Sequence, residues 1–343
     1  MKLTVSKNNT RKNSRKIPTA VVCMLLLCAV LLLCIGSLIF GAKPLSLSAL
    51  LQATPGNDTE AALIVWDLRA PRTLIGLIVG MALGIAGSLL QGLTRNPVAD
   101  PVLLGIGAGA GLGITGATFL LHVSTITSTV WFGLLGSFVA AVTLVAIGQR
   151  IGTGMSGLTL ILGGVAVQAG FMAISSALII YDQQSLGTYR LWTVGSLAGR
   201  PTAIFLPLLL LLVLGLAIAL YTAIKLNILA LGDEIAVSMG ENVRRIQLFG
   251  FLAVAILTTV AVAAAGPIAF VGLMCAHLAA LAGQADWRWN VALAGLLGMC
   301  VVLFGDIVGR LIAQPAEVPA GIVLALIGAP YFIMQIKRSG VRA

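Results

Sequence analysis

The sequence predicts an all-α, polytopic membrane protein of about ten transmembrane helices. Three observations support this class. Of 343 residues, 59% are hydrophobic and only 9% charged, and the mean hydropathy is +1.06; a soluble domain carries about 25% charged residues. Apolar segments follow one another near 18–41, 70–93, 102–121, 128–148, 157–180, 202–223, 246–265, 267–283, 291–313 and 320–336. Glycine recurs at every fourth position in several of them. A span needs about 20 apolar residues. This composition excludes a soluble enzyme, a nucleic-acid binder and a disordered chain. The net charge of +10 has the sign of a nucleic-acid partner. Basic cytoplasmic loops give the same sign, and the apolar content decides for the membrane.

The first element follows a basic tail, residues 1–17, that carries Lys2, Lys7, Arg11, Lys12, Arg15 and Lys16. A secretory signal has the same charge order, but its apolar core runs about 7–15 residues and ends at a small-residue cleavage site. The stretch from Ile17 to Gly41 is longer, and no A-x-A site follows. It predicts a first transmembrane helix with the N-terminus inside. In the next segments Gly76, Gly80 and Gly84 form one row and Gly105, Gly109 and Gly113 another; Gly305 and Gly309 repeat the spacing later. Apolar burial gains little between helices in lipid, whereas small residues let backbones approach, so these rows predict tight packing. The seventh and eighth segments are nearly fused, and Gly266-Pro267 marks the break between them. Residues 18–336 form the membrane domain, and 337–343 a C-terminal tail.

Ten spans with an inside start return the C-terminus inside. The six basic residues of the N-tail then share the cytoplasmic side with Arg95, Arg150, Lys225, Arg244, Arg245, Arg288, Lys337, Arg338 and Arg342. Lys43, Arg69, Arg72, Arg190, Arg200 and Arg310 fall outside. The bias obeys the positive-inside rule. It leaves six outer cations that need a reason.

No catalytic set stands out. Cys23, Cys28, Cys34, Cys275 and Cys300 are scattered in apolar runs and form no C-x-x-C pair, which fits apolar packing. His122 and His277 lie in different segments without a second ligand at metal spacing, so no metal site and no cofactor are expected. Gly111 to Gly116 matches G-x-G-x-x-G, but no strand precedes it. The phosphate-binding pattern G-x-x-x-x-G-K-[ST] is missing, so an ATP-driven process would need its ATPase on another chain. Asp306 and Arg310 stand four residues apart on one helix face. They read as an intrahelical ion pair or, for Arg310, a surface role, ahead of a relay. Leu226–Gln247 mixes charges with apolar residues and predicts a short amphipathic helix, a break at Gly240 and a second short turn. It fits either a solvated loop at the headgroups or a docking element for a cytoplasmic partner.

The ordered motifs resemble the FecCD family, permease subunits of ABC importers for iron–siderophores, haem and vitamin B12. The resemblance rests on Arg69-Ala70-Pro71-Arg72, Gly80 to Gln91, Arg95-Asn96-Pro97-Val98-Ala99-Asp100-Pro101 and Leu104-Gly105. Gly266-Pro267-Ile268-Ala269-Phe270-Val271-Gly272-Leu273, His277, Gly305 to Arg310, Glu317-Val318-Pro319-Ala320-Gly321 and Ile327-Gly328-Ala329-Pro330 continue it. Ala276 and Ala280 stand where the family usually has proline and arginine. The resemblance implies a permease in a bacterial cytoplasmic membrane that is not itself an enzyme. It implies pairing with a second permease subunit as a homo- or heterodimer. Two cytoplasmic ATP-binding subunits would drive it, and an extracytoplasmic substrate-binding protein would load it. It implies docking of that binding protein on Arg69, Arg72 and Arg310, with anchoring to lipid headgroups as the plainer role. It assigns ATPase coupling to Leu231, Gly232, Asp233, Glu234, Ala236, Met239 and Gly240 within 226–247. Cytoplasmic gates would lie at Asn96, Pro97 and Val98 and near Gly157 and Leu158. The expected cargo is an iron–siderophore, with haem or vitamin B12 in the same machinery as the alternative and ion-coupled secondary transport as the rival class.

Overall fold

The computed structural model describes residues 18–41, 43, 45–56, 59–123, 125–150, 157–282 and 286–339, and every regular element among them is helical. Helix α1 (Thr19–Ile39) is followed by the short α2 (Leu47–Gln52), whose N-terminus is capped by the Ser46 hydroxyl. Next, α3 (Glu60–Leu63) runs through a π-helical turn over Ile64–Arg69 into α4 (Ala70–Thr94). Pro71 sits just past that wide turn. It has no N–H to give and its ring crowds the carbonyl four residues back, which a widened turn relieves. A 3₁₀ turn over Pro101–Leu104 leads into α5 (Ile106–Leu121), and α6 (Ile126–Arg150), α7 (Gly157–Tyr181) and α8 (Gln183–Thr193) follow. The chain continues through α9 (Phe205–Leu229), α10 (Asp233–Ser238), α11 (Val243–Ala265), α12 (Val271–Leu281), α13 (Trp287–Ile312) and α14 (Ala320–Ser339).

Each of the ten apolar segments is helical. Seven stretches among the described residues are long and apolar enough to cross a membrane; they fall on α1, α3–α4, α6, α7, α9, α11 and α13. The other three segments, α5, α12 and α14, are shorter apolar helices. The causes are local. Pro101 diverts the first residues of one segment into the 3₁₀ turn before α5. Gly266, at φ +81°, ends α11, and Pro267 and the left-handed Phe270 (φ 69°) delay α12 to Val271. Proline removes a donor, and only glycine takes a positive φ without strain.

Helices α4 and α11 form the centre, with 83% and 78% of their apolar windows buried, against 11% for α1 and 22% for α7. The glycine rows explain how α4 packs so closely. A Cβ on Gly80 would lie 2.4 Å from the Gly298 carbonyl oxygen, and one on Gly298 1.9 Å from that of Gly80. Gly84 meets Ala294 of α13 in the same way, and Gly87 meets Gly272 of α12. The row of α5 does likewise, with Gly109 and Gly113 against Gly136 and Phe132 of α6. Gly105 instead takes a left-handed conformation that starts α5. These are backbone-to-backbone crossings, where dispersion replaces the missing hydrophobic drive.

Because α4 and α13 run antiparallel, one end of the bundle gathers Arg69, Arg72 and Arg310. The other gathers Arg95 and Trp287, whose ring lies against Gly92. These are called the Arg72 end and the Arg95 end below. Enlarging Gly298 to alanine should force α4 and α13 apart and cost about 1–3 kcal/mol. A lowered thermal midpoint in detergent would register it. Gly116→Ala is the control, since nothing lies within 4 Å of the added methyl, and it should leave the midpoint unchanged or raised.

Candidate functional site

At the Arg72 end, α1 stops and leaves its last carbonyls without helical donors. Two arginines supply them. Arg69 Nη1 donates to the carbonyls of Leu38 (2.6 Å) and Ile39 (2.8 Å), and its Nη2 to that of Lys43. Arg310 Nη1 donates to Ser37 O (2.9 Å) and Phe40 O (3.0 Å), and its Nη2 to Ser37 Oγ (2.7 Å). Ser37 Oγ lies 2.7 Å from Thr73 Oγ1, which donates to Arg69 O at 2.8 Å. Asp306 is the hub. Its carboxylate accepts Nε and Nη2 of Arg72 at 2.9–3.1 Å and pairs with Arg310 at 2.9 Å. Arg72 also donates to Glu317, just ahead of α14. Asp306 and Arg310 are each 1% exposed. A charge so enclosed is retained only when paired and hydrogen-bonded.

This geometry changes two expectations. The Asp306–Arg310 pair is the core of a network joining α1, α4, α13 and the segment before α14, not an isolated pair on one helix. Arg69, Arg72 and Arg310, to which the resemblance assigns docking, are buried, and their guanidinium groups are spent on acceptors inside the chain. The unfinished end of α1 draws them inward. Ser37 and Glu317 are partners that sequence reading missed; a serine in an apolar helix and an acid two residues from a proline on either side were the available signals.

Midway through the bundle, two helix starts share one carboxylate. Asp100, 3% exposed, accepts from Val102 N (2.8 Å) through Oδ1 and from Phe270 N (3.1 Å) through Oδ2. It thus satisfies donors at the 3₁₀ turn before α5 and at the start of α12. The break between α11 and α12 is closed further by Ser196 N donating to Ala265 O at 2.8 Å. Irregular backbone at membrane depth persists only where such partners exist.

At the Arg95 end, α4 terminates in the left-handed Arg95, and Asn96 Oδ1 accepts from Val98 N at 3.1 Å. The Pro97 carbonyl accepts from Gln335 of α14 at 3.2 Å, and Gln335 Nε2 also lies 3.0 Å from His277 Nδ1 of α12. Gln91 donates to Leu273 O at 3.3 Å. The Asn96-Pro97-Val98 turn is therefore tied to α12 and α14. Gly157 and Leu158 begin α7, and their side chains fall outside the described residues. What the structure sets against α7 is the following turn, where Leu104 and Gly105 meet Gly164.

Helix α10 lies at the same end. Gly232 (φ 116°) precedes it and Gly240 (φ 81°) follows it. Leu231, Ile235, Val237 and Met239 are exposed around it, and so are Asp233, Glu234 and Gly240. Ala236 is an exception among the expected coupling residues: it is fully buried, because it is the face α10 packs against the bundle. The second short turn expected after Gly240 is instead the first turn of α11, with Asn242 Oδ1 accepting from Arg245 N. Arg95 Nη2 donates to Leu229 O (3.1 Å) at the end of α9 and to Asp233 Oδ1 (2.5 Å) at the start of α10. Lys225 and Glu241 pair at 2.6 Å across the same segment. Nearby, hydrogen bonds from Arg288 hold the Asp286 carboxyl well below the usual carboxylate range while it caps α13.

The model of the FecCD transport family matches residues 27–338. The chain is similar to the ferric enterobactin transport system permease protein FepD of Escherichia coli K12, with 38% identity over 88% of this chain and 90% of that one. It is also similar to the hemin transport system permease protein HmuU of Yersinia pestis, 37% identical over 91% and 94%. The siderophore transport permease relative YfiZ of Bacillus subtilis is 33% identical over 88% and 91%. A solved inward-facing structure described as a metal-chelate type ABC transporter superposes with a TM-score of 0.79 at 26% identity, covering 93% of this chain and 99% of that one.

Removing the hub should be costly. Asp306→Asn leaves Arg72 and Arg310 short of a buried counter-charge and should lower stability by about 3–5 kcal/mol. Glu317→Gln, at a carboxylate with a 33% exposed side chain, should cost about 1 kcal/mol or less. Thermal unfolding of the two variants in one detergent compares them directly.

Proposed function

The chain belongs to the FecCD transport family, and from that premise we propose that it forms the membrane path of an ABC importer for ferric chelates. It is a permease subunit of an importer for siderophore, haem or citrate-bound iron, with ATP hydrolysis carried by a separate subunit. A ferric siderophore is the cargo we favour, since FepD, a ferric enterobactin permease protein, is a relative at 38% identity. Haem is the second reading, and the 37% identity to a hemin permease supports it. The observation that carries the reading is the family match over residues 27–338.

The physics suits this role. An ATPase needs a surface to grip, and α10 offers four exposed apolar side chains beside Asp233 and Glu234; such a patch on a loop marks a contact site. Movement of α10 reaches the Asn96-Pro97-Val98 turn through Arg95, so nucleotide-driven closure below has a route to a gate. The turn before α7 at Gly157 and Leu158 is the second gate in this reading. The Arg72 end receives a binding protein, with Arg69, Arg72 and Arg310 holding the rim in shape for docking. Both termini lie in the cytoplasm, following the charge bias, and a second permease subunit completes the path.

Reconstitution tests this. Proteoliposomes holding the permease with its ATPase, supplied with binding protein and radiolabelled ferric siderophore, should accumulate iron only with ATP. Accumulation by the permease alone, or driven by an ion gradient without the ATPase, would overturn the assignment. In the same assay Arg95→Glu should reduce uptake several-fold relative to ATP hydrolysed. The double variant Arg95→Glu/Asp233→Arg should recover it, because the ion pair is restored with its ends exchanged. Uptake per ATP that is unchanged in the single variant would remove the link between α10 and the gate.

A further inference from the structure

A cavity of about 420 Å³ opens at the Arg72 end. Lys43, Arg69, Arg72, Arg200 and Arg310 line it, against only two acids, Asp67 and Glu317. Four of the five cations are already committed. Lys43 pairs with Glu60, Arg72 with Asp306 and Glu317, Arg310 with Asp306, and Arg69 is spent on backbone carbonyls. Arg200 differs. Among the described residues no carboxylate lies within ion-pair distance of it, and its Nη2 donates to Ser196 O at 3.0 Å. Burial alone lowers its pKa, to about 10, which still leaves it charged at neutral pH.

Arg200 also lines a second cavity, of about 640 Å³, beside Thr129, Gln184, Thr188 and Trp192. Arg200 is the one charged residue of this second lining, which is otherwise made of neutral side chains and is largely apolar. Three residues that line these cavities each bury an N–H group with no acceptor among the described residues: Nε of Arg200, Nε of Arg310 and Nε1 of Trp192. A buried donor without a partner costs about 1–3 kcal/mol, and most such groups in native proteins are satisfied. One of them belongs to the uncompensated Arg200 guanidinium itself and the other two to residues lining the adjoining cavities, a donor-rich setting that suits an acceptor carrying negative charge. Arg200 is partly buried and, with Ala198, lines both cavities. A small molecule's oxyanion reaches it there, whereas a protein partner on the rim meets the exposed Lys43, Asp67 and Arg190 first.

Building on the importer reading above, we propose that Arg200 is an oxyanion-binding residue for the cargo, taking a carboxylate or phenolate oxygen of an anionic ferric chelate at the lining that the two cavities share. The guanidinium fork suits such a group, and its poor solvation strengthens the contact.

Full-length permease in nanodiscs, titrated with ferric citrate as the anionic probe and with a neutral ferric trihydroxamate, tests the assignment. Isothermal titration gives the affinity, and Trp192 on the cavity wall gives a fluorescence readout. The wild type should bind ferric citrate. Arg200→Gln should weaken that binding at least tenfold, Arg200→Lys should fall between, and the trihydroxamate should respond to neither change. Matching thermal midpoints exclude misfolding. Equal ferric citrate affinity in wild type and Arg200→Gln overturns the proposal, and so does a wild type that binds none. Arg200→Gln that loses affinity for the binding protein but not for ferric citrate also overturns it, making Arg200 a docking contact. ATP-driven uptake by the wild-type complex is measured alongside. Failure there sinks the importer reading, whereas failure confined to the nanodisc titrations sinks only the role of Arg200.

Discussion

The near contact of α4 with α13 is the constraint on which the rest depends. Glycine at 80, 84 and 298 removes the side chains that would hold the two backbones apart. With that distance closed, Arg72 reaches Asp306 and the charged hub becomes possible. On the neighbouring side Gly87 and Gly272 bring α12 to the same helix, and the short α12 fits because it begins where α4 already lies close. In lipid no hydrophobic force pulls helices together, so this closeness must come from shape and from polar pairs. The bundle uses both, shape along the middle of α4 and charge at its first turn.

A second theme is the economy with which broken helices are made safe. Each interruption exposes donors or acceptors that lipid does not satisfy. Asp100 answers two of them at once, the Ser196 amide answers a third, and the arginine network closes the end of α1. Polar residues in this chain are few, and the described ones sit largely where the backbone demands them. The exposed charges and apolar residues of α10 and the guanidinium of Arg200 do not fit that pattern, which is why they are the places to look for interactions with other molecules.

Much of this was legible in the sequence. The ten apolar segments and the glycine rows follow from period and composition, because membrane helices have little freedom to be anything else. Gly266-Pro267 announced the break before α12. Other features depend on tertiary contact and left only faint traces. Glu317 is 245 residues from Arg72 in the chain, and no local pattern ties them. The spacing of Asp306 and Arg310 gave the ion pair but not its third and fourth partners. The inward turn of Arg69 could not be foreseen, because it answers carbonyls whose exposure depends on where α1 ends. The resemblance assigns Ala236 to a contact surface, and a small apolar residue in a six-residue helix has no periodicity to mark the face that the bundle buries.

One consequence follows from the length of α4. Its 25 residues from Ala70 to Thr94 carry no internal proline after the first turn, and at about 1.5 Å per residue it reaches about 37 Å. It connects the arginine hub at its head to Arg95, the α10 anchor, at its foot. A rod of that length pivoting by about 5° near one tip displaces the other by about 3 Å, roughly the length of a hydrogen bond. Because Gly80 and Gly84 hold α4 against α13, such a tilt would carry α13 with it, and the pair would link the two ends of the bundle.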